Sequence, residues 1–310
     1  MLQSIWHSII ALFIAIFTLP LAAQTHTDNK SQDRLDNTLL WKLSGKGIKT
    51  SYLYGTIHLI PENDFFLNKA SLSAFNKTKQ LVMEMDMSNQ MMMALEMMTL
   101  SPMKDNKTLR DILSEEDFAL VQHYFEKEAT SLEIKALPFK MINTWKPMIS
   151  QTLLYQEMIK GKTKSYEMEL LEMAKKQKMT LGGLETVADQ MGVFDMISYE
   201  DQAAALVATI KSLQNKEDNS STEFEQIVNL YKAQDIEGMI EASKDEFAKA
   251  DNMEDELLIK RNKNWIPLIP KFAKEKSTFF AVGAAHLGGP YGIIRLLRQA
   301  GYKVEPILNK

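Results

Sequence analysis

The chain has 310 residues, 36 Lys and Arg against 40 Asp and Glu, a net charge of -4 and no cysteine. This excludes thiol nucleophiles, iron–sulfur clusters, Cys zinc sites, disulfides and a cysteine-linked lipid anchor, and the mixed charge argues against nucleic acid or an acidic membrane surface as partner. Hydroxyl, carboxylate and imidazole chemistry remain, on a chain long enough to bury its core without covalent staples.

Residues 1–24 carry no charged side chain, and the apolar run 9–21 ends in Leu21-Ala22-Ala23, small residues suited to signal-peptide cleavage. We expect a signal peptide over 1–23 and hence export, to a periplasmic or extracellular space. Because this segment lacks Lys and Arg, an uncleaved membrane anchor is the alternative. No later run is apolar for long enough to span a bilayer, so no stable membrane insertion is expected after cleavage. The polar residues 24–36 read as a disordered lead-in, and 37–310 as one domain.

Residues 39–43 and 50–54, around a turn at Gly45-Lys46-Gly47, read as a β-hairpin. A helical stretch over 67–78 leads to a third strand over 80–86. From about residue 106 to 276 the pattern is mostly helical, opened in part by the capping sequence Ser114-Glu115-Glu116-Asp117. One short strand, 179–184, interrupts it, and the polar run 215–222 reads as a surface loop. Strand, helix and strand return at 278–282, 292–300 and 302–304. The expected fold is α/β (α+β): a mixed central sheet from the N- and C-terminal parts with a large helical insertion between them.

One motif occurs in both parts. Gly55-Thr56-Ile57-His58 and Gly283-Ala284-Ala285-His286 each follow an apolar strand and precede a turn. A lone histidine after a strand is most simply a hydrogen-bonded structural residue. The repetition changes that reading, because glycine at a strand end lets the backbone turn tightly and approach a ligand, and strand ends are where α/β sheets place their sites. Glu84 and Asp86 share one face of a strand, and a solvated edge would explain them as well; the strand is apolar, however, and an inward carboxylate there, Glu84 before Asp86, needs a His, Arg or metal partner. Glu185 follows Gly182-Gly183-Leu184, with Thr186 beside it as a helix cap, and Glu167 opens a helix. Both acids have the alternative reading of helix N-terminal charges. Arg261-Asn262 could bind a carboxylate or an anionic transition state, with a surface salt bridge as the ordinary alternative. Nine methionines between Met83 and Met103 fit a helix face, core or groove, better than soft copper ligation, since their spacing is irregular. The Gly-x-Ser-x-Gly, His-Glu-x-x-His and Gly-x-Gly-x-x-Gly motifs are absent.

The paired Gly-x-x-His motifs resemble the signature of the TraB/GumN family, which includes the TIKI proteins. Further matches are the strand ending in Glu84, the helix opened by Glu167, Gly183-Leu184-Glu185-Thr186 with Gln190 after it, and Arg261-Asn262 before Trp265. At Glu167 the chain departs from relatives that carry a glycine-rich segment and Asp. The resemblance implies a fold distantly similar to erythromycin-esterase and haem-binding ChaN-like proteins, with His58, His286 and Glu84 at the centre of one cleft and Arg261 and Glu185 near it. TIKI members are described as proteases dependent on manganese or cobalt.

Three functions follow as expectations. The first is a secreted metal-dependent hydrolase, a peptidase, with His58, His286 and Glu84 as ligands of a divalent cation. Manganese or cobalt comes first, zinc or iron after them. Glu185 or Glu167 would shuttle the proton, with Gly55, Gly283 and Asn262 in support. The second is a metal-independent ester or lactone hydrolase, in which a histidine is general base and Arg261 stabilises the oxyanion. The third is a non-catalytic binding protein for peptide, haem or polysaccharide.

Overall fold

A computed structural model describes residues 34–159, 161–215, 220–247 and 253–308. The expected signal peptide, most of the lead-in and the centre of the 215–222 loop lie outside the described residues, and the last three residues expected in that loop instead open a helix, Ser220–Lys232. The hairpin forms from β1 (Leu40–Ser44) and β2 (Ser51–Thr56), paired antiparallel with Leu40 opposite Tyr54. Gly47 turns it at φ +81°, which side chains rarely adopt. The lead-in reaches the domain before Asp36, since Leu35 is buried and Arg34 pairs with Asp235 at 2.6 Å.

Two short strands that the sequence did not suggest, β3 (Ile60–Pro61) and β5 (Thr163–Lys164), pair with each other beside the main sheet. The main sheet adds β4 (Gln80–Met85), β6 (Thr180–Glu185), β7 (Thr278–Gly283) and β8 (Lys303–Pro306), in the order β6-β4-β7-β2-β1-β8. The four strands β6, β4, β7 and β2 run parallel, while β1 is antiparallel to both of its neighbours. The sheet is mixed, as expected, but not made only from the two ends of the chain. β6 comes from inside the helical middle and forms the edge beside β4.

Every residue of β4 and β7 is buried, which explains their near-continuous apolar sequence. Helices Lys69–Asn76, Tyr166–Lys176, Leu268–Glu275 and Ile293–Gln299 pack against β2, β4, β7 and β8 respectively. Each parallel strand therefore delivers its C-terminal residues to the same end of the sheet. Among the methionines, Met83, Met85, Met87, Met93, Met97 and Met103 are core residues, whereas Met91 and Met92 face solvent on helix Gln90–Leu100.

Helix Ser220–Lys232 ties the middle of the chain to the first motif. Its fully buried Tyr231 packs 5.3 Å from the Tyr166 ring and donates to the Gly55 carbonyl at 3.0 Å. Tyr231→Phe should cost about 1–2 kcal/mol, because a buried carbonyl loses its partner while ring packing is kept. A urea unfolding midpoint equal to the wild type would contradict that.

Candidate functional site

The two Gly-x-x-His motifs end neighbouring strands. Gly55 stands opposite Val282 and Thr56 opposite Gly283 across the parallel β2–β7 ladder. Neither glycine takes a positive φ, so the reason for glycine is close approach rather than a tight turn. A Cβ on Gly55 would come 3.0 Å from the Cβ of Ala284, which packs the first motif directly onto the second. A Cβ on Gly283 would lie 3.3 Å from Glu84 Oε1, 3.6 Å from His58 Nε2 and 3.6 Å from His286 Cδ2. The bare face of Gly283 is thus the floor on which Glu84, His58 and His286 meet.

Both imidazoles are held from behind. His58 Nδ1 lies 3.0 Å from Glu167 Oε1, and Glu167 also accepts from Thr56 Oγ1 at 2.7 Å and Ser165 Oγ at 3.0 Å. His286 Nδ1 lies 2.7 Å from Asn262 Oδ1, while Asn262 Nδ2 donates to the Tyr291 carbonyl at 2.9 Å. That second bond orients the amide, so its oxygen faces His286 and Nδ1 must carry the proton. A carboxylate behind His58 demands the same tautomer of neutral His58. Each ring therefore directs an Nε2 lone pair forward, the wiring found behind metal-ligating histidines.

Arg261 links the remaining groups. Helix Lys260–Trp265 continues a π-helical turn, Asp255–Ile259, and buries Arg261, Asn262 and Trp265 together. The Arg261 Nε donates to Glu185 Oε2 at 3.0 Å, and Nη2 to Glu185 Oε1 at 2.6 Å and Glu84 Oε2 at 2.7 Å. Nη1 donates to the Leu257 carbonyl at 3.0 Å and to His286 Nε2 at 3.2 Å. A guanidinium has five N–H groups, and all are used. The surface salt bridge considered as the ordinary alternative is thus replaced by a buried one. Trp265 Nε1 donates to Glu185 Oε2 at 3.2 Å and its ring lies 4.5 Å from that of His286.

Burial and charge set the protonation states. Burial, opposed only in part by Glu84, pushes His286 down to about 3 and keeps it neutral. Burial also works against the Glu84 charge, but His286, Arg261 and His58 around it, with the Gly283 N–H at 2.8 Å, hold its carboxyl down to about 2. For His58 the burial cost is outweighed by the Glu167 carboxylate, so its pKa rises, and Glu167 falls through the same pairing. Burial raises Glu185 despite its contact with Arg261.

Eight of the nine candidate site residues, His58, His286, Glu84, Glu167, Glu185, Arg261, Gly283 and Asn262, stand in this one network, and Gly55 supports it from outside by packing on Ala284. The network also includes Thr56, Ser165, Trp265 and the Leu257 carbonyl. Thr56 lies inside the first motif and Ser165 is a helix cap, so both had a local signal that pointed elsewhere. The Leu257 carbonyl had none.

Two imidazole Nε2 atoms and a carboxylate oxygen around a glycine face are of the right chemical kind for a divalent cation, and both rings have their second nitrogen tied. As placed, no three His, Asp or Glu side chains among the described residues close to metal-holding geometry. Arg261 is the group that stands between them: His286 Nε2 is 3.7 Å from Glu84 Oε1, and the guanidinium bonds to both side chains. The donors fit a metal in kind, with a cation of the chain's own among them.

The sequence model described as the TraB/PrgY/gumN family matches residues 39–306. Metalloprotease TIKI1 of Danio rerio is 22% identical, over 87% of this chain and 63% of its own length. The chain thus spans less than two thirds of that relative. No solved structure matches it. Among the described residues no helix is long and apolar enough to cross a membrane.

Proposed function

The chain belongs to the TraB/PrgY/gumN family, and we propose that it is an exported, metal-dependent hydrolase acting on peptides. The observation that carries this reading is the convergence of His58 Nε2, His286 and Glu84 Oε1 on the open face of Gly283, where a Cβ would stand, with both Nδ1 atoms tied back. The name of the TIKI1 relative adds support for the chemistry. His58, His286 and Glu84 would hold the cation, manganese or cobalt by the resemblance to the family noted in the sequence. Once bound, it supplies Lewis acidity, which polarises an amide carbonyl and acidifies a water at neutral pH.

The chain's own residues do the rest. Glu167, bonded by Thr56, Ser165 and His58, positions the His58 ring rather than moving protons. Asn262 does the same for His286. Glu185, whose two oxygens accept from Arg261 and one also from Trp265, holds the guanidinium in place.

A second reading has one observation in its favour. His58 with Glu167 behind it is a carboxylate–imidazole dyad, able to act as general base on water without a metal. Arg261 could then stabilise an oxyanion only by releasing one of its five partners. Elemental analysis of the purified chain beside a His58→Ala, His286→Ala double variant separates the readings, followed by turnover of a peptide library with and without chelator. One equivalent of metal lost in the double variant supports the first. Chelator-resistant turnover supports the second, and no turnover of any peptide or ester would leave a binding role.

Gly283→Ala tests the convergence point itself. With φ -49° and ψ 135° the backbone accepts alanine, yet the methyl would stand among Glu84, His58 and His286. Thermal stability should change by no more than about 1 kcal/mol, while metal uptake and hydrolysis fall about tenfold or more. Unchanged metal uptake would count against the site.

A further inference from the structure

Arg261 is saturated, and its five bonds divide unequally. Three of them, two to Glu185 and one to the Leu257 carbonyl, involve no group of the proposed ligand set. The other two go to Glu84 Oε2 and His286 Nε2, both in that set. The paired contacts to Glu185 match the fork of a guanidinium to the two oxygens of a carboxylate, the strongest arrangement available to it.

We propose that Arg261 is the resident cation of the site, holding Glu84 and His286 in the metal's stead, and that metal uptake is an exchange in which it releases those two groups while staying on Glu185. This rests on the metallohydrolase reading above. Two buried ligand groups, an anionic carboxylate and a neutral imidazole, are kept converged because the guanidinium bonds both. A divalent cation that takes them over offers more charge to Glu84 and a stronger acceptor for the imidazole lone pair.

The exchange also changes what Arg261 can do. Saturated, it has no N–H to offer a substrate. After release, one N–H on Nη1 and one on Nη2 are freed beside the metal ligands, where an oxyanion would form. The anion-stabilising donor is then assembled only in the loaded protein. Unloaded protein would hold substrate without the donors needed to turn it over.

Calorimetric titration of the purified chain with manganese and with cobalt tests this on wild type, Arg261→Gln and Arg261→Lys. Both variants should bind metal about tenfold tighter or more, the effect of one charge-assisted hydrogen bond that no longer has to be broken. Lysine keeps the positive charge but lacks the fork, so charge repulsion alone predicts wild-type affinity for it. Arg261→Gln leaves Glu84 and Glu185 without their cation. If circular dichroism shows it unfolded, Arg261→Lys decides the question.

Wild-type or weaker affinity in Arg261→Lys overturns the exchange and leaves the metallohydrolase reading standing. No binding by any of the three proteins sinks that reading, and the exchange with it. As an independent readout, metal should change Trp265 fluorescence more in wild type than in Arg261→Lys, with Trp265→Phe as control. The Arg261 guanidinium carbon lies 5.0 Å from that ring. An equal change in both proteins would mean that the guanidinium does not move.

Discussion

His58→Ala should cut hydrolysis about a thousandfold or more, equivalent to about 4 kcal/mol of transition-state stabilisation, and remove measurable metal binding, while the protein stays folded. The expectation follows from where the ring sits. Its side chain is 11% exposed, so water can enter the space it leaves, and Glu167 keeps the hydroxyls of Thr56 and Ser165 as partners. His286→Ala should lose as much activity but also cost about 2–4 kcal/mol of stability. That ring is 2% exposed, and its removal strands the Asn262 oxygen and one Arg261 N–H. Turnover of the best library peptide with added manganese or cobalt, beside a thermal melt, checks both. Full activity of His58→Ala under those conditions would end the metallohydrolase reading.

Gly183→Ala should be the most damaging single methyl in the sheet. A Cβ there would lie 2.3 Å from the Asp86 nitrogen and 2.7 Å from the Met85 carbonyl carbon, both backbone atoms of the strand that carries Glu84. No rotamer change relieves a backbone clash, so β6 and β4 must separate, at a cost of about 3 kcal/mol or more. Glu185 ends β6, Glu84 stands one residue before the end of β4, and the two share Arg261, so the site should be lost with the pairing. Gly182→Ala is the internal control. Its methyl meets the Phe272 ring edge at 3.2 Å, a side chain that can shift, and should cost about 1 kcal/mol or less. Equal melting temperatures for the two variants would refute the backbone-clash argument.

The sequence by itself determined the strands of the main sheet and the candidate residues, though not the short pair β3 and β5, because those signals lie within a few positions of one another. The hairpin, the apolar runs of β4 and β7 and the caps at Ser114 and Thr186 are local patterns, and each appears within a residue or two of its expected place. The repeated Gly-x-x-His was legible for the same reason. Tertiary structure alone decided what these residues do to one another. Glu167 reaches His58 across 109 positions, and Arg261 reaches Glu84 across 177. The strand order β6-β4-β7-β2 brings those carriers to one end of the sheet, and no periodicity or spacing encodes that order. Nor could the sequence reveal that Arg261 has no donor left over. Whether a guanidinium is free or spent depends on every acceptor around it, and its five partners come from four separate stretches of the chain.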